Sequence, residues 1–435
     1  MTTTLAWPVA RLATLAKSHK GAIAGGPFGS DLVSADYVSE GVPVIRGTNL
    51  PAHSKLSLDN LVFVTETKAD ALHLNCALPG DLVFTQRGTL GQVGLIPRDS
   101  SYPRYVISQS QMKMTVDSAK AHPLYLYYYF RLRSTVQYIE NHALQAGVPH
   151  INLAILRKLE VVAPPPAIQV KIAAILATYD DLIVNNQRRI ALLETMAEEI
   201  YREWFVRMRF PGFAGVTMEK GVPKGWDLVP TAQAFKYFGG ATPSKEVARY
   251  WNDGTVDWYT PTDITAAAGL YLEASADRCS DEGLESCSAN LFPPYSVMMT
   301  SRATIGAIGI NLTPACTNQG FITCIPNERY PLTFLYHWLK LAKPHFEMLS
   351  GGATFAELTK GTFKRIRILT PSAALVDDFN ARVEPMFKQM ESLIRSNSQL
   401  KATRDALLPR LISGKLKVDH LDIQLPPSMQ DKATA

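Results

Sequence analysis

Two stretches of the chain carry apolar residues at the spacing of a long amphipathic helix. In the first, the positions step alternately by four and three residues, with polar exceptions at Asn186 and Arg189. This stripe comprises Ile168, Ile172, Ile175, Tyr179, Leu182, Asn186, Arg189, Leu193, Met196 and Ile200. A similar but less regular stripe comprises Leu375, Phe379, Met386, Met390, Leu393, Asn397, Leu400, Leu407 and Leu411. Pro385 is expected to kink the second helix early, and Pro409 to kink or end it late.

These stripes have two interpretations. A single stripe is typical of a surface helix that packs on a core. Two stripes at corresponding places in the chain instead predict two helices that pair with each other, because each has a seam that needs covering. A buried Asn commonly fixes the register of such a pair at some loss of stability, and we assign this role to Asn186.

The segments that precede the two helices repeat each other, and the order of the matching blocks is preserved. The strongest match joins Thr85–Gly91 to Thr300–Gly306, where Thr, Arg, Thr and Gly fall in step. Weaker matches join Ile45–Leu50 to Tyr259–Ile264, Gly26–Ser30 to Gly240–Ser244, and Leu156–Pro164 to Phe363–Pro371. The chain is therefore an internal duplication.

Each half begins with short β-like runs and then becomes helical and rich in aromatic residues, which predicts a mixed α+β domain twice. The predicted fold is two similar α/β domains separated by two long antiparallel helices, with an internal pseudo-two-fold repeat. The expected boundaries are residues 1–165 for the first domain, 166–207 for the first long helix, 208–372 for a linker and the second domain, 373–418 for the second long helix and 419–435 for a tail.

Composition excludes several classes of protein. Hydrophobic residues make up 46% and charged residues 19% of 435 residues, which is typical of globular protein. A formal charge of +5 permits a nucleic-acid partner without arguing for one. No apolar run has the length of a membrane span and residues 1–10 do not resemble a signal peptide, so we expect a cytoplasmic protein with reduced cysteines.

The ordered duplication resembles the specificity subunits of type I restriction-modification systems. The resemblance covers nearly the whole chain and is carried by Gly80–Gly91, Pro164–Gln169, Thr242–Ser244 and Leu407–Gly414. It implies two target-recognition domains that each bind half of a split double-stranded DNA site, and spacer helices that dock two methyltransferase subunits. It also implies that restriction subunits join the full complex and that S-adenosylmethionine, ATP and Mg are bound by partners. This chain is then expected to have no catalytic centre, metal or cofactor.

The length of the predicted helices agrees with such a division of labour. A helix over residues 168–206 is roughly 55–60 Å long at 1.5 Å per residue, which exceeds one DNA turn of about 34–36 Å. We therefore expect the pair to set a gap of unread base pairs between two half-sites.

Arg87 and Arg302 are the best candidates for DNA contact, because Arg donates two hydrogen bonds to guanine or binds a phosphate. A tight turn in which Arg pairs with a carboxylate is an equal alternative. The first-domain candidates are Arg46, Thr48, Asn49, Thr85, Arg87, Thr89, Ser108, Gln109, Gln111 and Lys113. The second-domain candidates are Ser244, Lys245, Thr262, Asp263, Ser301, Arg302, Thr304, Asn318 and Gln319. For the residues outside the arginine turns, an ordinary turn or capping role competes with base contact.

Two other functions are weighed against DNA recognition. A self-contained DNA-modifying enzyme is suggested by Asn290–Tyr295, which resembles a Pro-Pro-aromatic methyltransferase motif, but Phe292 stands where that motif needs a polar residue. A structural turn is the favoured interpretation of that segment. A coiled-coil adaptor that binds proteins predicts no salt-sensitive affinity for DNA. The phosphate-binding loop and the HExxH spacing are both missing from the sequence.

Overall fold

The structure, a computed structural model, describes residues 7–52, 54–144, 148–219, 221–267, 269–351 and 356–430. The chain forms two compact units, the first made of residues 1–183 and 400–435 and the second of residues 184–399. No helix in the described ranges is both long enough and apolar enough to cross a membrane. The predicted mixed helix and sheet class is confirmed, with one globular α+β domain in each unit.

The described residues of the first unit form ten short strands. They are β1 (Val9–Arg11), β2 (Ile23–Gly25), β3 (Val42–Ile45), β4 (Val62–Val64), β5 (Cys76–Ala77), β6 (Leu82–Thr85), β7 (Val93–Leu95), β8 (Tyr105–Ile107), β9 (Gln111–Met114) and β10 (Glu160–Val162). Its helices are α1 (Glu66–Ala71), α2 (Pro123–Tyr129), α3 (Arg133–Asn141) and α4 (Leu153–Lys158), followed by the first long helix α5 (Pro166–Tyr201), which continues into the second unit. One π-helical turn, Arg202–Val206, extends α5.

Two sheets form the frame of the first domain. One has the strand order β2-β9-β6-β7 and the other has the order β4-β3-β8-β5. Strands β3 and β8 run parallel, and the other neighbours are antiparallel. Strands such as β6 and β9 are buried throughout, because both of their faces are covered. The core of this unit lies between the first sheet, the Tyr-rich α2 and the start of α5.

The second unit repeats this set of elements. Its strands are β11 (Met218–Glu219), β12 (Val222–Pro223), β13 (Asp227–Pro230), β14 (Tyr237–Gly239), β15 (Val256–Tyr259), β16 (Tyr271–Leu272), β17 (Asp277–Cys279), β18 (Val297–Thr300), β19 (Ile308–Asn311), β20 (Ala315–Thr317), β21 (Phe321–Cys324) and β22 (Arg367–Thr370). Its helices are α6 (Thr231–Ala234), α7 (Pro261–Ala266), α8 (Asp281–Glu285), α9 (Leu332–Leu341), α10 (Lys343–Leu349) and α11 (Lys360–Phe363), followed by the second long helix α12 (Ala373–Ile412).

The strand orders show the duplication directly. The second unit has the order β14-β21-β18-β19-β16 in one sheet and β17-β15-β20 in another. Strand β15 runs parallel to β20, as β3 runs parallel to β8. In each unit the last strand closes the domain by pairing with an early one, since β10 pairs with β1 and β22 pairs with β13, both antiparallel. The repeat predicted from the sequence is therefore a repeat of topology.

Left-handed backbone conformations also recur at matched positions. The turn before β6 has Gly80 at a φ of +92°, and the matched turn before β18 has Tyr295 at +63°. A second left-handed position falls in the turn that follows each of these strands, with Gly91 at +80° and Gly306 at +78°. Such values favour glycine, so the turn at Tyr295 is maintained by its surroundings rather than by its residue type.

The long helices pair in an antiparallel direction. In the second unit, Asn186 of α5 donates a hydrogen bond to Asn397 of α12 at 2.9 Å, and both side chains are buried. Further along the same unit, Tyr201 of α5 packs against Phe379 of α12 with ring centroids 5.7 Å apart. In the first unit, Arg404 of α12 is ion-paired with Asp180 of α5 at 2.5 Å. The pairing predicted from the two stripes is confirmed.

The predicted register of the α5 seam is wrong by one residue over part of its length. Leu182 and Met196 are 45% and 53% exposed, whereas the buried positions are Ile183, Ile190 and Ala197. Two stripes one residue apart both satisfy the alternating spacing in this helix. The buried stripe leads directly into Tyr201 and Trp204, which join the aromatic core of the second unit, and this packing selects it.

Helix α12 continues through Pro385 and Pro409 and ends at Ile412, before the predicted boundary at residue 418. Gly414 follows with a φ of +71°, the left-handed conformation that commonly terminates a helix. The segment after it returns along α5 within the first unit, where Lys171 donates to the backbone carbonyls of Asp419 and Leu421, each at 2.7 Å.

Candidate nucleic-acid interface

Four loops meet at one edge of the first domain. Strands β2 and β6 are both antiparallel to β9, so their carboxyl ends lie beside the start of β9. Strands β3 and β8 run parallel, and the short connection from β8 leads into β9 at this same edge. We call the loops Gly26–Ser30, Arg46–Asn49, Gln86–Gly91 and Ser108–Ser110 the first loop edge.

Backbone hydrogen bonds join these loops to one another. Gly26 donates to the carbonyl of Gln111 at 2.8 Å, and Ser108 donates to the carbonyl of Ile45 at 2.9 Å. Gln86 donates to the carbonyl of Ser110 at 2.7 Å. The loop edge is therefore an ordered surface rather than a set of independent loops.

The second domain has a matched edge. Its loops, which we call the second loop edge, are Gly240–Ser244, Thr260–Asp263, Ser301–Gly306 and Asn318–Gly320. The same kinds of bond join them, since Ala241 donates to Thr317 at 2.9 Å, Asn318 donates to Tyr259 at 3.0 Å, and Ser301 donates to Gly320 at 2.7 Å.

Nearly all the predicted DNA-contact residues lie in or next to these two edges, but their exposure differs. The exposed ones are Thr48, Arg87, Thr89, Gln109, Ser244, Lys245, Thr262, Arg302, Thr304 and Gln319. The half-buried ones are Arg46, Ser108, Asp263 and Asn318. The buried ones are Asn49, Thr85, Gln111, Lys113 and Ser301. Lys113 lies within β9 rather than in a loop.

Asn49 and Asp263 occupy equivalent positions and stabilise equivalent turns. The Asn49 Oδ1 atom accepts from the backbone of Arg46 at 3.0 Å, and an Asp263 oxygen accepts from the backbone of Thr260 at 2.7 Å. Asn49 also donates to the carbonyls of Ser57 and Asp59. These side chains therefore fix the loop that follows β3 or β15, which is the capping role that competed with base contact.

The other buried candidates also bond within the domain. Thr85 donates to the Gln92 side chain at 3.0 Å. The Gln111 side-chain oxygen accepts from Ser108, and Lys113 lies 3.5 Å from the Asp81 carboxylate inside the domain. Contact with DNA by these side chains stays a prediction, and the exposed residues of the loop edges are better placed for it.

The two arginine turns differ in their partners. Arg302 donates through Nε to the Glu357 carboxylate at 2.9 Å, and both side chains are partly exposed. Arg87 is exposed and forms no ion pair with any residue that the structure describes. At the position that matches Glu357, the first domain has His150, whose backbone bridges to Arg87. The arginine of the first loop edge is thus the freer of the two.

Sequence reasoning missed the segments that lie against the arginine turns. Gly351 and Glu357 form a backbone bridge in the second domain, and Leu144 and His150 form the matching bridge in the first. Ile151 donates to the carbonyl of Gln86 at 3.0 Å. The sequence could have identified these segments, because each one directly precedes a block of the internal repeat, which begins at Leu156 in the first half and at Phe363 in the second. Residues 145–147 and 352–355 lie outside the described residues.

Lys245 lies beside the second loop edge in an aromatic setting. Its Nζ atom is 3.6 Å from the ring centre of Trp251 and 4.7 Å from that of Trp258, and it pairs with Asp277 at 2.9 Å. Cation–π contacts and an ion pair together limit the freedom of this side chain. The lysine is exposed but already has partners within its own domain.

The segment with a methyltransferase-like sequence has a structural role. Phe292 is 2% exposed and belongs to an apolar cluster with Tyr259 and Met298. Pro293 accepts a hydrogen bond from Ser296 in the turn that precedes β18. Among the described residues, no group of three or more His, Cys, Asp or Glu side chains is arranged to hold a metal ion.

Comparisons with known proteins agree with the duplicated fold. A family model described as the type I restriction modification DNA specificity domain matches residues 41–195 and again residues 223–375. The HindI specificity subunit of Haemophilus influenzae is 24% identical, over 73% of this chain and 83% of that protein. The MjaIX specificity subunit of Methanocaldococcus jannaschii is 32% identical, over 40% of this chain and 42% of that protein, so this match spans less than half of either chain.

A solved structure shares the fold. The type I restriction-modification S subunit from M. genitalium superposes with a TM-score of 0.55 at 16% sequence identity, over 94% of this chain and 97% of that one. The family model matches both α+β domains and covers most of the chain. We conclude that this protein belongs to the family of type I restriction-modification specificity subunits, which are non-catalytic.

Proposed function

We propose that this chain recognises a bipartite double-stranded DNA sequence, with one half-site bound by each loop edge, and directs partner methyltransferase and restriction subunits to it. The observation that supports this most is the repetition of one ordered edge, which keeps matched loops and exposed residues such as Arg87 and Arg302 but changes other exposed residues, such as Phe28 to Thr242. Two domains of one architecture that share some exposed groups and differ in others are suited to two related but different half-sites.

The chemistry of the exposed residues supports DNA as the ligand. Arg87 offers five N–H donors to a guanine edge or to a phosphate. Gln109 and Gln319 lie at equivalent exposed positions where an amide can face DNA, although each amide also bonds within its own loop edge. We further propose that S-adenosylmethionine, ATP and Mg are bound by the partner subunits and that this chain contributes recognition alone.

The long helices are the proposed docking sites for the two methyltransferase subunits. On α5, Leu192 is 63% exposed and Met196 is 53% exposed, although both are apolar. Exposed apolar side chains on one helix face are typical of a protein interface. Replacing both with Glu is expected to abolish co-purification with the methyltransferase subunit, whereas Gln187→Glu, an exposed change on the other side of the same helix, is the matched control and should keep it. Retained co-purification of the double variant would move the interface elsewhere.

The DNA proposal is tested by mapping methylated bases in the host genome with and without this gene. We expect a two-part methylated motif that disappears when the gene is deleted. The complex assembled with its methyltransferase subunits should then bind that duplex with an affinity that falls steeply as salt rises. A protein adaptor predicts no salt-sensitive DNA binding, and an unchanged methylation map would refute DNA recognition.

A further inference from the structure

One large apolar side chain on the first loop edge is left out of the core. The Phe28 side chain is 90% exposed, the highest value among the exposed large hydrophobic residues that the structure describes. Its neighbour Pro27 is buried, so the loop is anchored at the residue directly before the exposed ring. Because burial of an aromatic side chain is favourable, a ring held in water at this edge can gain free energy by packing on a partner.

The loop around Phe28 is held in place. Gln109 donates through Nε2 to the carbonyl of Gly29 at 2.6 Å and to that of Leu32 at 2.9 Å. Gly26 packs so closely on the next loop that an added Cβ atom would lie 2.0 Å from the Ser108 carbonyl oxygen. The ring is therefore presented from an ordered loop, and binding through it needs little further ordering.

The second domain has the same support with a different side chain. Gly240 is packed as closely as Gly26, because its added Cβ atom would lie 2.1 Å from the carbonyl oxygen of Asn318. The position that matches Phe28 is Thr242, which donates to the Gln319 side chain at 2.7 Å. The two domains thus keep the scaffold and change the exposed group, which is expected of a position that distinguishes two half-sites.

We propose that Phe28 contacts bases of the first half-site through their apolar surface, either a thymine methyl group in the major groove or the face of a base at an opened step. This inference rests on the proposed DNA-recognition function. The loop edge around Phe28 otherwise offers polar groups such as Thr48, Arg87 and Thr89. On duplex DNA, the apolar partners for a ring that depend on sequence are thymine methyls and base faces.

The proposal is tested with the complex of this chain and its methyltransferase subunits, bound to a fluorescent duplex that contains the methylated motif. Phe28→Ala is expected to weaken binding about tenfold or more, with no change in the slope of affinity against salt, because the ring contacts no phosphate. Val9→Ala, which removes an apolar side chain that is 59% exposed outside the loop edge, is the matched control and should bind like the wild type.

Two further duplexes separate the two apolar surfaces. If the ring packs on a thymine methyl, uracil in place of that thymine weakens wild-type binding but not Phe28→Ala binding. If the ring instead enters an opened base step, the fluorescence of 2-aminopurine placed at that step should rise when the wild-type complex binds but not when the Phe28→Ala complex binds. Either result supports the proposal.

The outcomes also separate this proposal from the one on which it depends. Wild-type affinity of Phe28→Ala for the motif would overturn the role of Phe28 while leaving DNA recognition intact. Loss of co-purification with the methyltransferase subunits in Phe28→Ala would assign the ring to a protein contact and also overturn it. A wild-type complex that fails to bind any duplex would instead refute the proposed function itself.

Discussion

The buried amide pair between the long helices makes a quantitative prediction. Asn186 and Asn397 are 8% and 7% exposed, and they share a side-chain hydrogen bond of 2.9 Å. Replacing Asn186 with Leu removes the donor and leaves the Asn397 amide in an apolar seam. A buried polar group without a partner costs about 1–3 kcal/mol, and a Leu that packs on this unpaired amide gains little apolar burial, so the free energy of unfolding should fall by about that amount.

Replacing both residues gives the opposite expectation. In the variant with Leu at both positions no polar group is left unpaired, and each buried Leu contributes about 1.5–3 kcal/mol of apolar burial. The loss of one hydrogen bond, about 1 kcal/mol, is smaller. The double variant should therefore be at least as stable as the wild type, which means that the two single effects are strongly non-additive.

Equilibrium urea unfolding, followed by the helical circular dichroism signal, measures these differences. With an m-value of about 2 kcal/mol/M, the single variant should lose about 0.5–1.5 M of midpoint. Asn185→Leu, at the exposed neighbouring position, is the matched control and should stay within about 0.5 kcal/mol of the wild type. Additive losses from the two single substitutions would show that the amides do not act as a pair.

Three other predictions address the loop edges and the core. Arg87→Ala should weaken binding of the assembled complex to its DNA by about 1–3 kcal/mol in fluorescence anisotropy, and unchanged affinity would assign this arginine to a structural turn. Glu357→Gln should strengthen binding severalfold, because it frees Arg302 and removes a negative charge near the phosphates; weaker binding would contradict this view of the pair. Burial lowers the pKa of His337 from 6.5 to about 4, so the unfolded chain takes up the proton first. The unfolding free energy should therefore fall as pH drops from about 6.5 towards 4, by up to about 1.4 kcal/mol per pH unit, and His337→Gln should flatten this fall in urea titrations.

Much of the fold could be predicted from the sequence, because the duplication shows most elements twice and each copy supports the prediction of the other. The match between Arg87 and Arg302 located two equivalent turns, and both adopt the same left-handed positions. The seam of α5 was predicted one residue away from its true register, because Leu182 and Ile183 are both apolar and spacing alone does not choose between them. The choice depends on the aromatic core beyond Tyr201, which a local pattern does not contain.

The candidate site was predicted by region more than by residue. Asn49 and Asp263 have the right chemistry for bases, but the same amide and carboxylate groups also cap turns, and the structure uses them as caps. Phe28 was missed because an apolar residue in a short loop gives no sequence signal of exposure. Its neighbours show why it is exposed, since the loop is fixed by Gln109 from a distant part of the chain.

The equal length of matched loops on the two edges affects how the binding preference of an edge can change. The segments that follow β6 and β18 have equal length, as do those between β8 and β9 and between β20 and β21, although some of their residues differ. Each side chain of one edge therefore has a positional equivalent on the other, as Gln109 has in Gln319. The binding preference of an edge can therefore change by point mutation of its exposed residues, without insertion or deletion in the loops. Variants of this protein can accordingly be engineered one exposed position at a time.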